Sequence, residues 1–336
     1  MATQITAAPG RLAAWARILK TCGAPAAQDL DAIGRVLLIT RACVQPMTLT
    51  AAAMAGALAA PVPSFDPLLF TIAAIGIVIA HASNNMINDY FDLRAGLDTE
   101  DYPRSQYAPH PVVAGVIDER GLKKAILIAN ALDAAIMVVL FLARGWPVVA
   151  FALAGLFISV FYVAPPLRLK ARGLGEPSVF VIWGPLMVGG TYYSATGSIP
   201  IEVVYASLPY ALLVTTVLMG KHIDKLPWDE GAGVATLPVV MGESGARKST
   251  LALFLAFYVS VGILVVADVI TPWTLLVVLG LPTLRRVART YGRARPEQPP
   301  ARYPLWPLWY GPWAFVHARR AGALLVAGFI AGALMN

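Results

Sequence analysis

Three observations predict an all-α, polytopic membrane protein with nine transmembrane helices. The 336-residue chain is 58% hydrophobic and only 13% charged, about half the ~25% charged share of a soluble domain. Its apolar runs recur at ~17–25 residues, the length that crosses ~30 Å of hydrocarbon as a helix. And 25 of the 26 Lys and Arg residues fall in the N-terminal segment and in alternate loops with their adjoining helix ends.

Taken in order, residues 1–40 read as a separate basic arm, with Arg11, Arg17, Lys20 and Arg35 spread along it. No continuous apolar core marks it as a signal peptide. An amphipathic surface helix over Leu12–Leu19 and a disordered arm both fit the pattern. Cys22 and Cys43 are too few to suggest a disulfide framework and are expected to be inert thiols. Residues 41–336 read as one membrane domain, with spans near 41–60, 67–89, 121–142, 147–165, 176–196, 203–222, 248–270, 272–285 and 318–335. The eighth is short, which suits a re-entrant or strongly buried helix.

The charges check that count. The other four loops, Pro61–Pro67, Arg144–Pro147, Thr196–Glu202 and Asp268–Pro272, hold only Arg144. By the positive-inside rule the N-terminus and the charged loops lie in the cytoplasm, and nine spans put the C-terminus on the opposite side. The +7 net charge is then mainly an orientation signal. It does not indicate nucleic-acid binding, because the aromatics sit in apolar runs rather than between the arginines. Arg285–Arg320 is rich in Arg and Pro and carries Trp306, Trp309 and Trp313. It reads as an interfacial anchor or, alternatively, as a segment that touches substrate.

The chemistry concentrates at two membrane-helix ends. Residues 84–98 hold Asn84, Asn85, Asn88, Asp89, Asp92 and Asp98, and Asp224 and Asp229 end a later apolar run. Ionisable groups at such places are expensive and mark functional sites. On a helix, Asn85, Asp89 and Asp92 fall at i, i+4 and i+7 and share one face, with Asn88 at its edge. Asp98 follows Gly96, where the helix should have ended, so the loop can fold it back. Asp224 and Asp229 are separated by Pro227, so the helix is expected to end near Leu226 with Asp229 in a returning loop. Asp118, Glu119, Glu243 and Asp268 read as solvated loop groups.

Oxygen donors of this kind suit Mg²⁺, which keeps waters and bridges to substrate phosphates. Cations on the same side would hold those phosphates. Arg168, Lys170 and Arg172 alternate in one loop, and Lys221 stands near the second cluster. Arg168, Lys170 and Lys221 are the favoured phosphate partners. The four histidines, His81, His110, His222 and His317, show no metal-ligand spacing. No Ser or Cys nucleophile motif and no glycine-rich phosphate loop is visible.

Asn88-Asp89-x-x-Asp92-x-x-x-Gly96-x-Asp98 resembles the first aspartate-rich motif of the UbiA-type intramembrane prenyltransferases. Within them it looks most like the 1,4-dihydroxy-2-naphthoate prenyltransferases. The run from Pro166 to Glu176 is similar to their loop after span four, and so are Gly184-Pro185-Leu186, Gly190-Thr191-Tyr192-Tyr193 and Thr236-Leu237-Pro238-Val239. The resemblance covers roughly residues 41–335. It implies a helical bundle around a central cavity open sideways to lipid, with both Asp motifs facing across a cytoplasmic mouth. Asp89, Asp92, Asp98, Asp224 and Asp229 would hold Mg²⁺. Asn85, Asn88, Arg168, Lys170, Arg172 and Lys221 would hold an isoprenoid diphosphate. Asp89, Asp92, Asp224 and Lys170 would then serve ionisation to an allylic cation, captured by a small aromatic or quinone-precursor acceptor.

Two departures stand out. Where the family often shows Arg-Asp at its second motif, this chain has Asp224-Lys225, and where it often shows Arg-Pro after the first, this chain has His110-Pro111. His110 therefore reads as a diphosphate contact, a base or an ordinary loop histidine. Three functions remain compatible with the sequence. They are prenyl transfer, cyclisation of the diphosphate without an acceptor, and, in another class, ion-coupled transport.

Overall fold

The computed structural model describes residues 10–24, 29–97, 108–301, 303 and 305–335. Among them every regular element is a helix, and the one extended pairing is an isolated bridge between Arg172 and Ala235. Helices α1 (Arg11–Thr21) and α2 (Ala32–Ile39) form the N-terminal arm, and the bundle follows as α3 (Pro46–Ala59), α4 (Pro67–Arg94), α5 (Glu119–Arg144) and α6 (Pro147–Phe161). Next come α7 (Gly175–Val181), a π-helical stretch (Ile182–Gly189) and α8 (Gly190–Thr196), which run on as one rod. Then α9 (Ile201–Gly231), α10 (Leu237–Val266), a 3₁₀ stretch (Pro272–Gly280) leading into α11 (Leu281–Tyr291), and α12 (Tyr310–Met335) complete the chain.

Five of these, α4, α5, α9, α10 and α12, are long and apolar enough to cross a membrane. α3 and α6 are shorter apolar helices. Large apolar side chains such as Leu127 and Leu142 on α5, and Leu255 and Ile263 on α10, face outward. In water such a surface would drive association; in hydrocarbon it is the expected exterior.

Local chemistry sets the ends of the helix that matters most. Pro67 sits in the first turn of α4, and the Asp66 carboxylate accepts the N–H groups of Leu68 and Leu69, satisfying donors the helix itself leaves orphaned. At the far end Ala95 closes the helix, and Gly96 takes a left-handed conformation at φ 71°, as a helix terminator should. The expected stop before Gly96 is therefore observed.

α9 is the axis of the bundle. Its apolar window is 67% buried, against 11% for α5, and it packs on α7, the π stretch, α10 and α12. Close crossings make this feasible: a Cβ at Gly184 would lie 2.8 Å from the Ala211 Cβ, and one at Gly220 would lie 2.9 Å from the Gly311 backbone. The main core, including Tyr210, Phe254, Phe257 and Leu325, surrounds it. Here one expectation fails. α9 does not stop at Leu226 but runs through Pro209 and Pro227 to Gly231. A proline costs a helix one hydrogen bond and some crowding, and tertiary burial outweighs that penalty.

The arm takes the helical alternative, but its cysteines are not as expected. Helix α1 forms over Arg11–Thr21, the Trp15 indole donates to Asp31 at 2.9 Å, and Cys22 is disulfide-bonded to Cys43. The thiols are therefore paired. The sequence offered no reason to join them, because their proximity (Cα–Cα 5.3 Å) arises only when the arm folds back on itself.

Candidate active site

At its polar end α4 meets three partners. The Asn85 amide donates to the Thr40 carbonyl at 3.1 Å. Asp89, fully buried, is ion-paired with Arg41, which sits in a left-handed turn at φ 50°. Asp92 accepts the Lys170 ammonium on both oxygens, at 2.7 and 2.8 Å. Asn85 and Asp89 thus face the arm, while Asp92 faces the loop after α6.

That loop is built to deliver Lys170. Its backbone N–H donates to the Tyr162 carbonyl at 2.9 Å, a 3₁₀ turn spans Leu169–Ala171, and the Arg172–Ala235 bridge ties the loop to the turn before α10. Lys170 is buried. Arg168 and Arg172 are exposed, and Arg172 donates to the Pro166 carbonyl at 3.1 Å. Only one of the three alternating cations turns inward.

The second acidic cluster divides. Five residues along a helix rotate a side chain by about 140°, so Asp224 and Asp229 leave α9 in different directions. Asp224 accepts the N–H groups of Tyr310 and Gly311, at 2.8 Å each, and so caps the start of α12. Asp229 stands 3.6 Å from Lys225 as an i, i+4 ion pair. The departure at Asp224-Lys225 therefore has a structural account: the first carboxylate anchors the last helix and the adjacent cation serves Asp229. Each Asp224 oxygen accepts one backbone amide, so a metal would have to take the remaining lone pairs. Asp224→Ala is expected to cost roughly 1–2 kcal/mol, the range for a lost cap. It should lower the melting temperature of purified protein while leaving the KM for diphosphate near the wild-type value. A raised KM at unchanged stability would place Asp224 in the ligand set.

His110 also has local partners. Its Nδ1 accepts the N–H groups of Val112 (3.2 Å) and Val113 (3.4 Å), which leaves the proton on Nε2 to donate to the Asp89 carbonyl at 3.1 Å. The ring pins the loop to the acidic end of α4. Asp98 lies outside the described residues. Among the described residues no three His, Cys, Asp or Glu side chains are gathered to hold a metal.

Two chambers complete the site. The first, about 240 Å³, is lined by Lys20, Arg41, Lys221, Asn84, Asn85 and Asn88 together with apolar residues including Met47, Val214, Leu218, Leu308 and Phe315. Leu305 and Leu308 bring the 292–309 segment into this wall, which goes beyond an interfacial anchor. Arg295 fastens that segment by donating to the Asp224 carbonyl at 3.0 Å and lying over Trp228 and Trp306. The second chamber, about 350 Å³, lies among α4, α5, α6, the π stretch and α8, and is mainly apolar with a few polar side chains in its wall. His81, Asn84, Ile182 and Trp183 border both. The π turns, which occur mostly at functional sites, put Ile182 and Trp183 on this shared wall.

Residues 49–316 match the UbiA prenyltransferase family. The chain belongs to that family. It is a membrane-embedded enzyme of the prenyltransferase class. Its curated relatives include a 1,4-dihydroxy-2-naphthoate octaprenyltransferase of Bacillus subtilis, 27% identical over 266 residues, covering 76% of this chain and 82% of that protein. The protein of the same name in Haemophilus influenzae is 29% identical, over 67% and 74%. A UbiA homolog from Archaeoglobus fulgidus, solved with GPP and Mg²⁺, superposes with a TM-score of 0.59 over 87% of this chain and 99% of that one, at 17% identity. That likeness establishes the fold. With membership in this family the transporter reading falls away.

The structure brings forward residues of the prenyltransferase that its sequence did not single out. Arg41 and Lys20 look like orientation charges, yet both line the first chamber. Glu176 and His222 form a buried pair at 2.7 Å, joining α7 to α9. They lie 46 residues apart, so only the position of Glu176 at the end of the loop motif hinted at a role.

Proposed function

We propose that this prenyltransferase moves an allylic prenyl group from an isoprenoid diphosphate to a small aromatic or quinone-precursor acceptor within the membrane. The observation that carries the reading is the first chamber. Three cations and three carboxamides line one largely apolar cavity, and Asn88 stands one helical turn before Asp92, the partner of Lys170. A lining of that kind suits a diphosphate joined to a hydrocarbon chain. The naphthoate prenyltransferases among the relatives support an aromatic acceptor, and the GPP- and Mg²⁺-bound homolog supports the donor and the ion.

The donor set fits Mg²⁺. The available groups are hard oxygens, and Asn88 carries an enclosed Oδ1 that accepts no hydrogen bond. Asp92, Asp89, Asp229 and Asn88, with Asp98, would hold the ion, which when bound neutralises charge on the leaving diphosphate. Lys170, Arg41 and Lys221 are the phosphate-holding residues of this chain, and Lys170 exchanges Asp92 for phosphate oxygens when the substrate arrives. The allylic C–O bond breaks with both electrons passing to the diphosphate. An acceptor ring carbon then supplies the pair for the new C–C bond, and its proton is lost. Trp183 and Phe315 offer π faces to the cation, and the apolar walls keep water from it.

The bundle has nine spans, with the N-terminus and the polar mouth cytoplasmic and the C-terminus opposite. The charge sorting supports this orientation. Labelled geranyl, farnesyl and longer diphosphates, supplied with and without an aromatic panel, test the function. Prenylated product only with an acceptor is expected. Hydrocarbon or alcohol formed without one would replace transfer by cyclisation.

A further inference from the structure

The second chamber has a property that a hydrocarbon chain does not explain. Asp133 lies near the middle of α5 and lines it, together with Asn130, Ser83, Thr191 and Trp183. An acid at that depth is costly and marks function. Asn130 and Ser83 satisfy one another, with the amide donating to Ser83 Oγ at 2.7 Å and to the Ile126 carbonyl at 2.8 Å. The other three do not. Asp133 Oδ1, Thr191 Oγ1 and Trp183 Nε1 are all enclosed and without a hydrogen-bond partner.

Thr191 is the informative case. It is 1% exposed. Elsewhere in the bundle the hydroxyls of Thr50, Ser194, Thr196, Thr215 and Thr250 each donate to the carbonyl four residues earlier, the usual way a membrane helix satisfies them. Thr191 follows the π stretch and forgoes that bond. Each unmade hydrogen bond in a buried place costs about 1–3 kcal/mol. Three of them, from α5, the π stretch and α8, border one apolar chamber.

We infer that the second chamber is the subsite for the acceptor, a hydroxylated aromatic molecule whose O–H donates to Asp133 and whose oxygen accepts from Thr191 and Trp183. This rests on the transfer reading above. A prenyl chain cannot meet the requirement, since it has no polar atom. An arene bearing a hydroxyl group fills the apolar volume and supplies both the donor and the acceptor. Trp183 borders both chambers, so an arene held there abuts the place where the allylic carbon is released. Asp133 and Thr191 then determine which acceptors bind; they take no part in breaking the diphosphate bond.

The test is equilibrium binding of labelled 1-naphthol and of 1-methoxynaphthalene to purified protein in nanodiscs, corrected for empty nanodiscs. The two probes share a ring system but only naphthol can donate. Wild type should bind naphthol about ten-fold more tightly, the equivalent of ~1.4 kcal/mol. Asp133→Leu and Thr191→Val should each reduce that preference several-fold. The affinity of a non-ionisable geranyl thiolodiphosphate should not change in either. Asp133→Leu removes an orphaned polar group from a membrane helix, so its melting temperature should hold or rise, whereas a structural role would lower it. If that variant is unstable, the conservative Thr191→Val carries the test alone. Equal affinity for the two probes in wild type, or an undiminished preference in the variants, overturns the subsite. Preferential naphthol binding by a protein that shows no acceptor-dependent turnover would instead overturn the transfer reading and leave the subsite standing.

Discussion

Asp92→Ala is expected to lower turnover by at least about 10²–10³-fold, the loss typical of removing one preorganised electrostatic partner, while the protein still inserts and folds. The Asp92 carboxylate is held on both oxygens by Lys170, a cation that is itself a phosphate candidate. Asp89 is different. It is completely buried against Arg41, so Asp89→Ala combines loss of activity with an uncompensated guanidinium in the cavity wall. Steady-state kinetics on purified Asp92→Ala, with a melting curve as control, checks the prediction. Near-normal kcat in a folded variant would remove the acidic end of α4 from the chemistry.

The second large effect belongs to Lys170. Lys170→Met keeps the length of the side chain and removes its charge. The KM for diphosphate should rise by about ten-fold or more, the worth of a charge-assisted hydrogen bond at ~1.5–3 kcal/mol. The KM for acceptor should stay close to wild type. Stability should fall as well, because breaking a buried pair leaves its partner uncompensated. The usual cost of ~3–5 kcal/mol is an upper bound here, since the Asp92 side chain is 13% exposed. The double variant Asp92→Asn/Lys170→Met separates the two roles. It should recover much of the lost stability and none of the lost activity. Recovery of both would mean that the pair is only structural.

The membrane class, the long helices and the acidic end of α4 are legible in the sequence because each has a local signature: span length, charge sorting, and a cap-to-glycine helix carrying Asp89 and Asp92. Other features depend on packing and have no such signature. Pro227 is a valid local stop signal, yet α9 continues because burial on every side holds it together. The contact of Asp224 with the start of α12 has no sign in the Asp224-Lys225 pair itself, since it depends on the helix angle. Arg41 and Lys20 carry the same charge as any cytoplasmic residue, and only the folding-back of the arm brings them to the cavity. Asp133 was passed over within an apolar run, because its meaning comes from Thr191 and Trp183, which reach it from other elements.

In the proposed function, Mg²⁺ and an isoprenoid diphosphate meet where the first chamber borders the end of α4 at Asn85 and Asn88. Calorimetric binding of geranyl thiolodiphosphate, with and without Mg²⁺, tests it most directly. Wild type should bind in a Mg²⁺-dependent manner, Asp92→Ala should lose that dependence, and Lys170→Met should bind about ten-fold more weakly. Binding of equal strength in all three proteins, indifferent to Mg²⁺, would contradict the account.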